Sequence, residues 1–338
     1  MEKSATIRFM VILILALVIS GCLGGNNKGL TTDVYVAGAA TDSLTDKYVA
    51  TYWKNGIAVK LTDGTHDAFA ESIFVSESDV YVAGYESNGT TYVAKYWKNG
   101  TAVPLSAGIN PAEALSIVVS GSDVYVAGDE SNGSGMVAVY WKNGLAMPLT
   151  DGIMANSIFV SGSDVYVAGE WYNGSVNVAK YWKNGTVVKD LTNGSLNANA
   201  SSIFVSGSDV YVAGDERDAT SGESIAKYWK NGTVVSLPVG TDESDATSIF
   251  VSGSDVYVAG CEGPFAKYWK NGIAVSLTDG TYEATATSIF VSGSDVYVAG
   301  FESNGSAQVA KCWKNGVAVP LSDGTSDARA YSIFVNPF

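Results

Sequence analysis

The side chains that could do chemistry in this chain lie in short polar segments that recur after the motif Val-Tyr-Val-Ala-Gly. A glutamate stands two residues beyond that motif in five segments: Glu86, Glu130, Glu216, Glu262 and Glu302. If the repeats close into a ring, these glutamates form an acidic circle, and Ca²⁺ prefers several carboxylate oxygens as ligands. No segment has the spaced aspartates of a dedicated calcium loop, so a solvated acidic rim is the alternative.

Aromatic side chains in the same segments could stack on a sugar or a peptide. Seven of the eight tryptophans belong to the motif Trp-Lys-Asn-Gly, and the eighth, Trp171, does not. With Tyr172 it would present a flat platform of the kind that binds ligands by stacking. Tyr85 and Phe301 directly follow the motif glycine in two further repeats, which makes them candidates as well. The alternative is that such rings only cover the core of a neighbouring repeat.

Few residues of this chain are of the types that catalytic sites commonly use. One histidine is present in the whole sequence, so a histidine-ligated metal site or a Ser-His-Asp triad has almost nothing to use. A glycine-rich phosphate loop needs a helix behind it, and no repeat has helical periodicity. We therefore expect no catalytic activity and no cofactor. A glycoside hydrolase or lyase with paired carboxylates is the alternative, with Asp129 and Glu170, or Asp215 and Asp218, as the pair.

A β-hairpin that recurs along the chain must position these residues. One copy, Ser157–Gly169, has β-branched and aromatic runs on either side of a Ser-Gly-Ser turn. A second hairpin follows each copy, because the Asn-Gly of Trp-Lys-Asn-Gly favours a type I′ turn. The strands predicted for one repeat are A, Ile73–Val75; B, Val80–Ala83; C, Val93–Trp97; and D, Ala102–Leu105.

The spacing of the repeats predicts a propeller. The aspartate that opens Asp-Val-Tyr-Val-Ala-Gly recurs about every 44 residues, which matches four-stranded propeller blades. Trp-Lys-Asn-Gly occurs seven times, the first repeat begins at strand B near Asp33, and a lone strand A, Ile333–Val335, follows the last repeat. The expected fold is all-β: a seven-bladed β-propeller of four-stranded antiparallel blades, closed by the C-terminal strand joining the first blade.

Variation among the repeats is confined to two of the four connections. The A–B and C–D turns hardly differ, whereas the B–C and D–A loops differ in length and content. In an up-and-down blade the B–C and D–A loops lie on the same face of the disc. We therefore expect a ligand on that face, held by residues that break the sevenfold pattern.

Composition narrows the class of partner. The formal net charge is −14 for 338 residues, which argues against a nucleic acid and against a polybasic membrane patch. Cations and neutral ligands such as glycans remain compatible with it. Cys261 and Cys312 are expected near opposite faces of the disc, too far apart for a disulfide.

The N-terminal segment has the pattern of a targeting signal. Lys3 and Arg8 form a positive region, and Phe9–Ile19 is apolar but short for a membrane-spanning helix. The sequence Ile19–Cys22 resembles the lipobox of prokaryotic lipoproteins, which implies cleavage before Cys22, a lipid on its sulfur and a place on the outer side of a membrane. We expect residues 1–21 to be the signal peptide, 22–32 a flexible tether and 33–338 the propeller.

The blades resemble distant kelch-type blades through Val-Tyr-Val-Ala-Gly in strand B and Tyr96-Trp97 in strand C. The repeat as a whole is similar to those of uncharacterised prokaryotic surface lipoproteins built of propeller repeats. Together with the lipobox, this implies a lipid-anchored, extracytoplasmic binding or adhesion scaffold at the cell surface or envelope, whose variable loop face meets a protein or a glycan. A carbohydrate-active enzyme and a structural envelope component are the alternatives.

Overall fold

The computed structural model describes residues 32–240 and 242–336, and its regular secondary structure there consists of β-strands. The strands form seven four-stranded antiparallel sheets, called blades 1 to 7 in chain order. Within those two ranges, no helix has the length and apolarity that crossing a bilayer would need.

Each blade has four strands, named A to D from the channel outward, and the A strands of adjacent blades contact one another around the axis. The A strands, from blade 1 to blade 7, are β28 (Ala328–Asn336), β4 (Ala68–Ser76), β8 (Ala112–Ser120), β12 (Met154–Ser161), β16 (Ala198–Ser206), β20 (Ser244–Ser252) and β24 (Ala284–Ser292). The B strands are β1 (Asp33–Asp42), β5 (Asp79–Ser87), β9 (Asp123–Ser131), β13 (Asp164–Tyr172), β17 (Asp209–Arg217), β21 (Asp255–Glu262) and β25 (Asp295–Ser303). The C strands are β2 (Lys47–Lys54), β6 (Tyr92–Lys98), β10 (Met136–Lys142), β14 (Asn177–Lys183), β18 (Ser224–Lys230), β22 (Phe265–Lys270) and β26 (Gln308–Lys314). The D strands are β3 (Ile57–Lys60), β7 (Thr101–Pro104), β11 (Leu145–Pro148), β15 (Thr186–Asp190), β19 (Thr233–Ser236), β23 (Ile273–Ser276) and β27 (Val317–Pro320).

Blade 1 joins the two ends of the described chain. Strand β28 pairs antiparallel with β1, and Tyr35 lies opposite Phe334. The ring of Phe334 also contacts those of Phe74 and Phe290 in the two adjacent blades, with centroid separations of 4.9 and 5.3 Å. The predicted closed, seven-bladed β-propeller is confirmed.

The A strands are longer than the sequence predicted. In blade 2 the prediction was Ile73–Val75, whereas the strand spans Ala68–Ser76. Its register with strand B shifts between Ala70 and Ser72, so Glu71 is the extra residue of a β-bulge. The bulge shifts the alternation of buried and partly exposed residues by one position, so no single period of two runs through the whole strand. The same shift occurs in the other six blades.

The hydrophobic core lies between blades. The tryptophan of every Trp-Lys-Asn-Gly motif is at most 2% exposed. Trp141 of blade 3, for example, belongs to one buried cluster with Ala83 and Leu105 of blade 2. Burying an apolar side chain of this size contributes roughly 3 kcal/mol. Each blade therefore depends on its neighbours for stability, as expected of a sheet with two apolar faces.

The recurrent Lys-Asn-Gly turn fixes the start of strand B. In blade 2, Asn99 has a φ of +50°, which asparagine tolerates better than most residues. Its Oδ1 accepts a hydrogen bond from the N–H of Val80 at 2.9 Å, and its Nδ2 donates to Asp79 at 2.8 Å. Lys98 pairs with the same carboxylate at 2.7 Å and lies over the ring of Tyr81. This set of contacts explains why the turn hardly varies among the repeats.

Two rings of side chains hold the A strands around the channel. In each blade the N–H of an isoleucine donates to a serine hydroxyl of the preceding blade, as from Ile117 to Ser72 at 3.2 Å and from Ile73 to Ser332 at 3.3 Å. These bonds form a closed circle of seven. A collar of rings lies on the side of the A–B turns and consists of Phe74, Phe159, Phe204, Phe250, Phe290 and Phe334, with Val118 in blade 3.

Candidate functional site

The B–C and D–A loops share one face of the disc, as the sequence predicted. In blade 2 the N–H of Ser87, at the end of strand B, donates to the carbonyl of Asp67 in the preceding D–A loop at 2.9 Å. The side chain of Asn88 donates to the carbonyl of Gly108 in the next D–A loop, also at 2.9 Å. Equivalent bonds in other blades tie the loops into a rim around the channel.

Three positions of each blade break the sevenfold pattern, and all three lie where the channel opens onto this face. One is the strand-A residue two before the bulge, the second is the bulge itself, and the third follows the glycine of Val-Tyr-Val-Ala-Gly and pairs with the first. We call them the channel mouth. The first position is held by Phe69, Glu113, Met154, Asn199, Asp245, Thr285 and Arg329. The bulge position is held by Glu71, Leu115, Asn156, Ser201, Thr247, Thr287 and Tyr331. The strand-B position is held by Ala39, Tyr85, Asp129, Glu170, Asp215, Cys261 and Phe301.

Three carboxylates of the channel mouth lie where blades 2 and 3 adjoin, and Glu113 is near each of the other two, Glu71 and Asp129. Asp129 lies opposite Glu113 in the β8–β9 ladder, so both side chains are on one face of the sheet. Asp129 is 2% exposed, and its Oδ1 has no hydrogen-bond partner among the described residues. Burial, with a further contribution from the charge of Glu113, raises the pKa of Asp129 to about 7. Burial likewise raises the pKa of Glu71 to about 7, and the same Glu113 adds to that effect. Raised pKa values beside unpaired buried oxygens are typical of functional sites.

Four aromatic rings adjoin these carboxylates. Tyr48 contacts Phe69, Phe69 contacts Tyr85 and Tyr85 contacts Tyr92, with centroid separations of 5.2, 5.2 and 5.0 Å. Burial and the charge of Glu71 raise the pKa of Tyr85, which is hydrogen-bonded to that carboxyl group. The predicted site residue Tyr85 therefore lies at the channel mouth, next to acidic residues of strand A.

Arg329 is the one basic residue among the channel-mouth positions. Its guanidinium lies over the ring of Phe301, 5.2 Å from the centroid. Its Nε is buried and has no hydrogen-bond partner in the described part of the chain. The predicted site residue Phe301 is thus at the mouth, with one face of its ring covered by a cation.

A second group of carboxylates lines a cavity of about 180 Å³ between blades 4 and 5. Glu170 and Asp215 both border it, and they accept hydrogen bonds from Asn177 at 2.6 Å and Ser224 at 2.7 Å respectively. Burial raises the pKa of Asp215 to about 6 and also raises that of Glu170. The cavity brings together one member of each carboxylate pair that the sequence suggested.

The other two members of those pairs lie elsewhere. Asp129 belongs to the cluster at blades 2 and 3. Asp218 is in an exposed B–C loop, where its carboxylate accepts hydrogen bonds from the N–H groups of Thr220 and Ser221, each at 2.8 Å. Asp218 therefore shapes its own loop, as aspartates commonly do in turns.

The circle of glutamates predicted on the B–C loops is largely paired with lysines. Glu86, Glu216, Glu262 and Glu302 form ion pairs with Lys95, Lys227, Lys267 and Lys311 of strand C. Glu130 has no ion pair among the described residues, because Val139 occupies the lysine position in blade 3. In residues 32–240 and 242–336, no group of three His, Cys, Asp or Glu side chains could hold a metal ion.

The predicted aromatic platform of blade 4 has one face occupied. Trp171 takes the place of the paired glutamate, and the Nζ of Lys180 lies 4.4 Å from the centroid of its ring. Lys180 is 3% exposed, and burial lowers its pKa. Tyr172 is 52% exposed. A ligand could therefore reach Tyr172 and at most one face of the Trp171 indole.

The cysteines are separated as predicted. Cys261 lies at the channel mouth and borders a cavity of about 390 Å³ together with Thr285, and burial raises the pKa of its thiol to about 11. Cys312 is buried in strand C of blade 7. The two form no disulfide. Cys22, the predicted lipidation site, lies outside the described residues.

The sequence analysis missed the strand-A residues of the channel mouth. It began strand A at Ile73 and so left Phe69 and Glu71 in a loop. The signal that could have found them is the pair of alanines at Ala68 and Ala70, which recurs before most strand-A serines with a variable residue between. Both alanines are completely buried. A fixed small residue alternating with a variable one indicates a strand with one packed face and one face available for function.

No protein-family model and no curated protein matches this chain. Among solved structures, the chain is similar to TolB from Acinetobacter baumannii, with 10% sequence identity, a TM-score of 0.45 and coverage of 78% of this chain and 65% of that one. It is also similar to an acylaminoacyl peptidase from Pyrococcus horikoshii, with 14% identity, a TM-score of 0.48 and coverage of 88% and 51%. A third similar structure is the β-propeller domain of the Trilobed protease from Pyrococcus furiosus, with 10% identity, a TM-score of 0.44 and coverage of 73% and 78%. The chain thus spans less than two thirds of the length of the first two proteins.

Proposed function

We propose that this chain is a non-catalytic binding scaffold, anchored by a lipid on the outer side of a membrane, that holds a protein or glycan at its channel mouth. The observation that carries the proposal is the convergence of the pattern-breaking residues. Within the nearly identical A and B strands, the seven blades differ at positions gathered around one opening of the channel, and the variable loops lie on the same face. Variable side chains on a rigid scaffold are the usual arrangement of a binding site.

The chemistry of the mouth supports a polar ligand. Six of its residues are carboxylic acids and one, Arg329, is a cation. Amides and hydroxyls, as at Asn199 and Thr285, add hydrogen-bonding groups, and the Tyr85 cluster adds apolar ring surface. Few precisely placed polar groups beside aromatic rings are typical of ligand sites. A ligand with hydrogen-bond donors or a positive charge suits this lining better than an anion does.

A pair of tryptophan variants in one blade tests the location of the site. Thr285 borders the cavity of about 390 Å³ at the mouth, so Thr285→Trp would fill it. Ser294 lies exposed on the A–B turn of the same blade, on the opposite face. With a ligand found on glycan and peptide arrays, we expect Thr285→Trp to weaken binding at least tenfold and Ser294→Trp to leave it unchanged.

The opposite pattern, or equal loss in both variants, would place the binding surface elsewhere. Absence of binding to either array would contradict the proposal that the mouth takes a glycan or a protein segment. Trp171→Ala belongs in the same measurement, because a ligand that stacks on the remaining face of that ring would be lost with it.

A carbohydrate-active enzyme remains the second candidate, and the cavity between blades 4 and 5 favours it. Glu170 and Asp215 border one cavity, and a protonated and an ionised carboxyl group near one bond are what glycoside hydrolysis requires. Turnover of a polysaccharide that is lost in Glu170→Gln and kept in Asp218→Asn would establish this activity. Binding without turnover would support the scaffold.

The lipid anchor rests on the sequence around Cys22 and is tested separately. When the full chain is expressed in a bacterium fed a radiolabelled fatty acid, the label should appear on the protein and the signal peptide should be removed. Cys22→Ser should abolish both, because the sulfur is the atom that carries the lipid. A wild-type protein that stays unlabelled would rule the anchor out.

A further inference from the structure

We propose that Glu71, Glu113 and Asp129 form a subsite for an alkylammonium group, so that the ligand of the channel mouth carries an amine at this end. The inference rests on the proposed function and adds the chemical class of the ligand. Its basis is a set of three acidic side chains, one of them completely enclosed, that the rest of the propeller leaves without a cation.

Asp129 provides the first part of the geometry. It is 2% exposed, and its Oδ1 makes no hydrogen bond within the described residues. Leaving such an oxygen unsatisfied costs about 1–3 kcal/mol or more when it is charged. Glu113 lies directly opposite in the ladder and is partly exposed. An ammonium group that enters beside Glu113 would supply the donors that Asp129 lacks.

Glu71 provides the second part, because it departs from what its position does in other blades. At the bulge of blades 6 and 7, Thr247 and Thr287 donate to the carbonyls of Ala286 and Ala330 in the next blade, at 2.7 and 2.9 Å. Asn156 donates to the next blade in the same way. An ionised carboxylate has no proton to donate. Glu71 instead accepts a hydrogen bond from Tyr85 of its own blade, and it lies near Glu113 of the next blade.

No lysine or arginine forms an ion pair with these three acids in the described part of the chain. Elsewhere on the face, lysines of strand C pair with the loop glutamates, as Lys95 pairs with Glu86 at 2.5 Å. No ion pair of the described residues includes Glu71, Glu113 or Asp129. Blade 3, which contributes two of the acids, has Val139 in place of that lysine.

The adjoining groups suit an organic cation. Tyr85 is hydrogen-bonded to Glu71, and its ring belongs to the row that includes Phe69 and Tyr92. Ring faces and carboxylates together are the common means of binding an alkylammonium group. Tyr331 of blade 1 also lies near Glu71, and Tyr331 in turn interacts with Arg329 and Tyr48. Since the described residues hold no set of side chains that could ligate a metal, an ammonium group fits better than a metal ion.

Calorimetric titration of the purified full chain with n-butylammonium tests the subsite, with n-butanol as the uncharged probe and Ca²⁺ as the metal probe. We expect n-butylammonium to bind at pH 8 and n-butanol and Ca²⁺ not to bind. Asp129→Asn and Glu71→Gln should each weaken binding at least tenfold. Asp323→Asn, which removes an equal charge from an exposed D–A loop on the same face, should leave it unchanged.

Protons should compete with n-butylammonium for the carboxylates of this subsite. Glu71 and Asp129 have pKa values of about 7, so binding at pH 8 should weaken about tenfold or more by pH 6 and should release protons, detectable by titration in buffers of different ionisation enthalpy.

Equal binding of n-butanol, retention of affinity in both variants, or binding of Ca²⁺ alone would overturn the subsite. If Thr285→Trp still blocks an array ligand while n-butylammonium does not bind, the proposed ammonium subsite is wrong and the proposed binding scaffold is supported. If n-butylammonium binds as expected while no array ligand is found, the ammonium subsite is supported and the proposal that the mouth binds a protein or glycan is wrong.

Discussion

Removal of residues 331–338 is expected to yield a protein that does not complete the propeller. The deletion takes away most of β28, which is the innermost strand of blade 1. Ile333 and Val335 are 4% and 0% exposed, and the three apolar side chains from Ile333 to Val335 contribute on the order of 5 kcal/mol by burial alone. That is a large part of the 5–15 kcal/mol by which domains are usually stable.

The loss also breaks both rings around the channel. Without Ser332 the N–H of Ile73 loses its acceptor, and without Phe334 the collar opens between Phe74 and Phe290. The exposed edge of β1 would then be available to pair with other chains. We expect the truncated protein to show no cooperative thermal transition in circular dichroism, or to aggregate on purification.

Two comparisons make this result specific to strand closure. A chain that lacks only residues 337 and 338 should melt like the wild type, since β28 ends at Asn336. A synthetic peptide of residues 328–338, added in excess, should restore a cooperative transition to the truncated protein. An unchanged melting temperature after the longer deletion would mean that β28 does not hold the ring together.

The sequence was sufficient for the architecture because the contacts that build it recur in every blade. Asp79, Lys98 and Asn99 make the same bonds as their counterparts in the other six repeats, so their recurrence alone locates the turns. The lone strand at Ile333–Val335 then leaves one position open, in the first blade. Repetition of this kind makes a fold readable from a single chain.

The residues of the candidate site were harder to predict from the sequence than the fold, because of the irregular geometry of strand A. Glu71 occupies a bulge, and a bulge puts two consecutive residues where the regular alternation allows one. The sequence therefore does not indicate which of them faces the channel. Glu71 and Glu113 are 42 positions apart in the sequence, and the packing of two blades brings them close together. Tyr85 was found because it follows a recognisable strand end, whereas Glu71 and Glu113 are marked only by their alternation with buried alanines.

The pairing of the loop glutamates could have been predicted and was not. Glu86 and Lys95 stand on adjacent antiparallel strands across a short loop, and Lys95 lies opposite Gly84 in the ladder. Such a diagonal pair is within reach of two long side chains. The same register explains Trp171, whose ring takes the place of the glutamate and receives Lys180. An acidic residue in a hairpin is therefore better judged with its cross-strand neighbour than by itself.

The second large effect expected is a gain in stability as the pH falls from 8 to 5.5. Glu71 and Asp129 have pKa values of about 7 in the folded protein and about 4 when unfolded. A carboxyl group whose folded pKa is raised contributes stability that is complete below its unfolded pKa and is lost as the pH rises through its folded pKa. The loss therefore falls between about pH 4 and pH 7, and for Glu71 it is on the order of 3 kcal/mol.

The aspartates bonded to the Lys-Asn-Gly turns have the opposite effect on stability, because their contribution is lost when the pH falls below about 4. Hydrogen bonds from Lys98 and Asn99 lower the pKa of Asp79, and the other turn aspartates are lowered in the same way. Their contribution is present above the unfolded pKa, about 4, and is lost as the pH falls through their lower folded values. The two sets of groups together place the stability maximum on the acidic side of neutrality, near pH 4.5–5.5.

Urea unfolding at pH 5.5 and pH 8 measures the effect, and Glu71→Gln isolates its source. The variant should be more stable than the wild type at pH 8, by roughly 2–3 kcal/mol, because the amide cannot acquire the buried charge. At pH 5.5, midway between the folded and unfolded pKa values of Glu71, the difference should be about half as large. Asp323→Asn is the matched control, since hydrogen bonds within its loop lower the pKa of Asp323 and it does not titrate in this range.

A wild-type protein that is equally stable at both pH values would mean that Glu71 and Asp129 are already ionised near pH 5, and that the channel mouth is open to water. A gain of stability in Glu71→Gln together with loss of n-butylammonium binding would instead link the two properties, because the charge that destabilises the folded chain would be the one that binds the ligand.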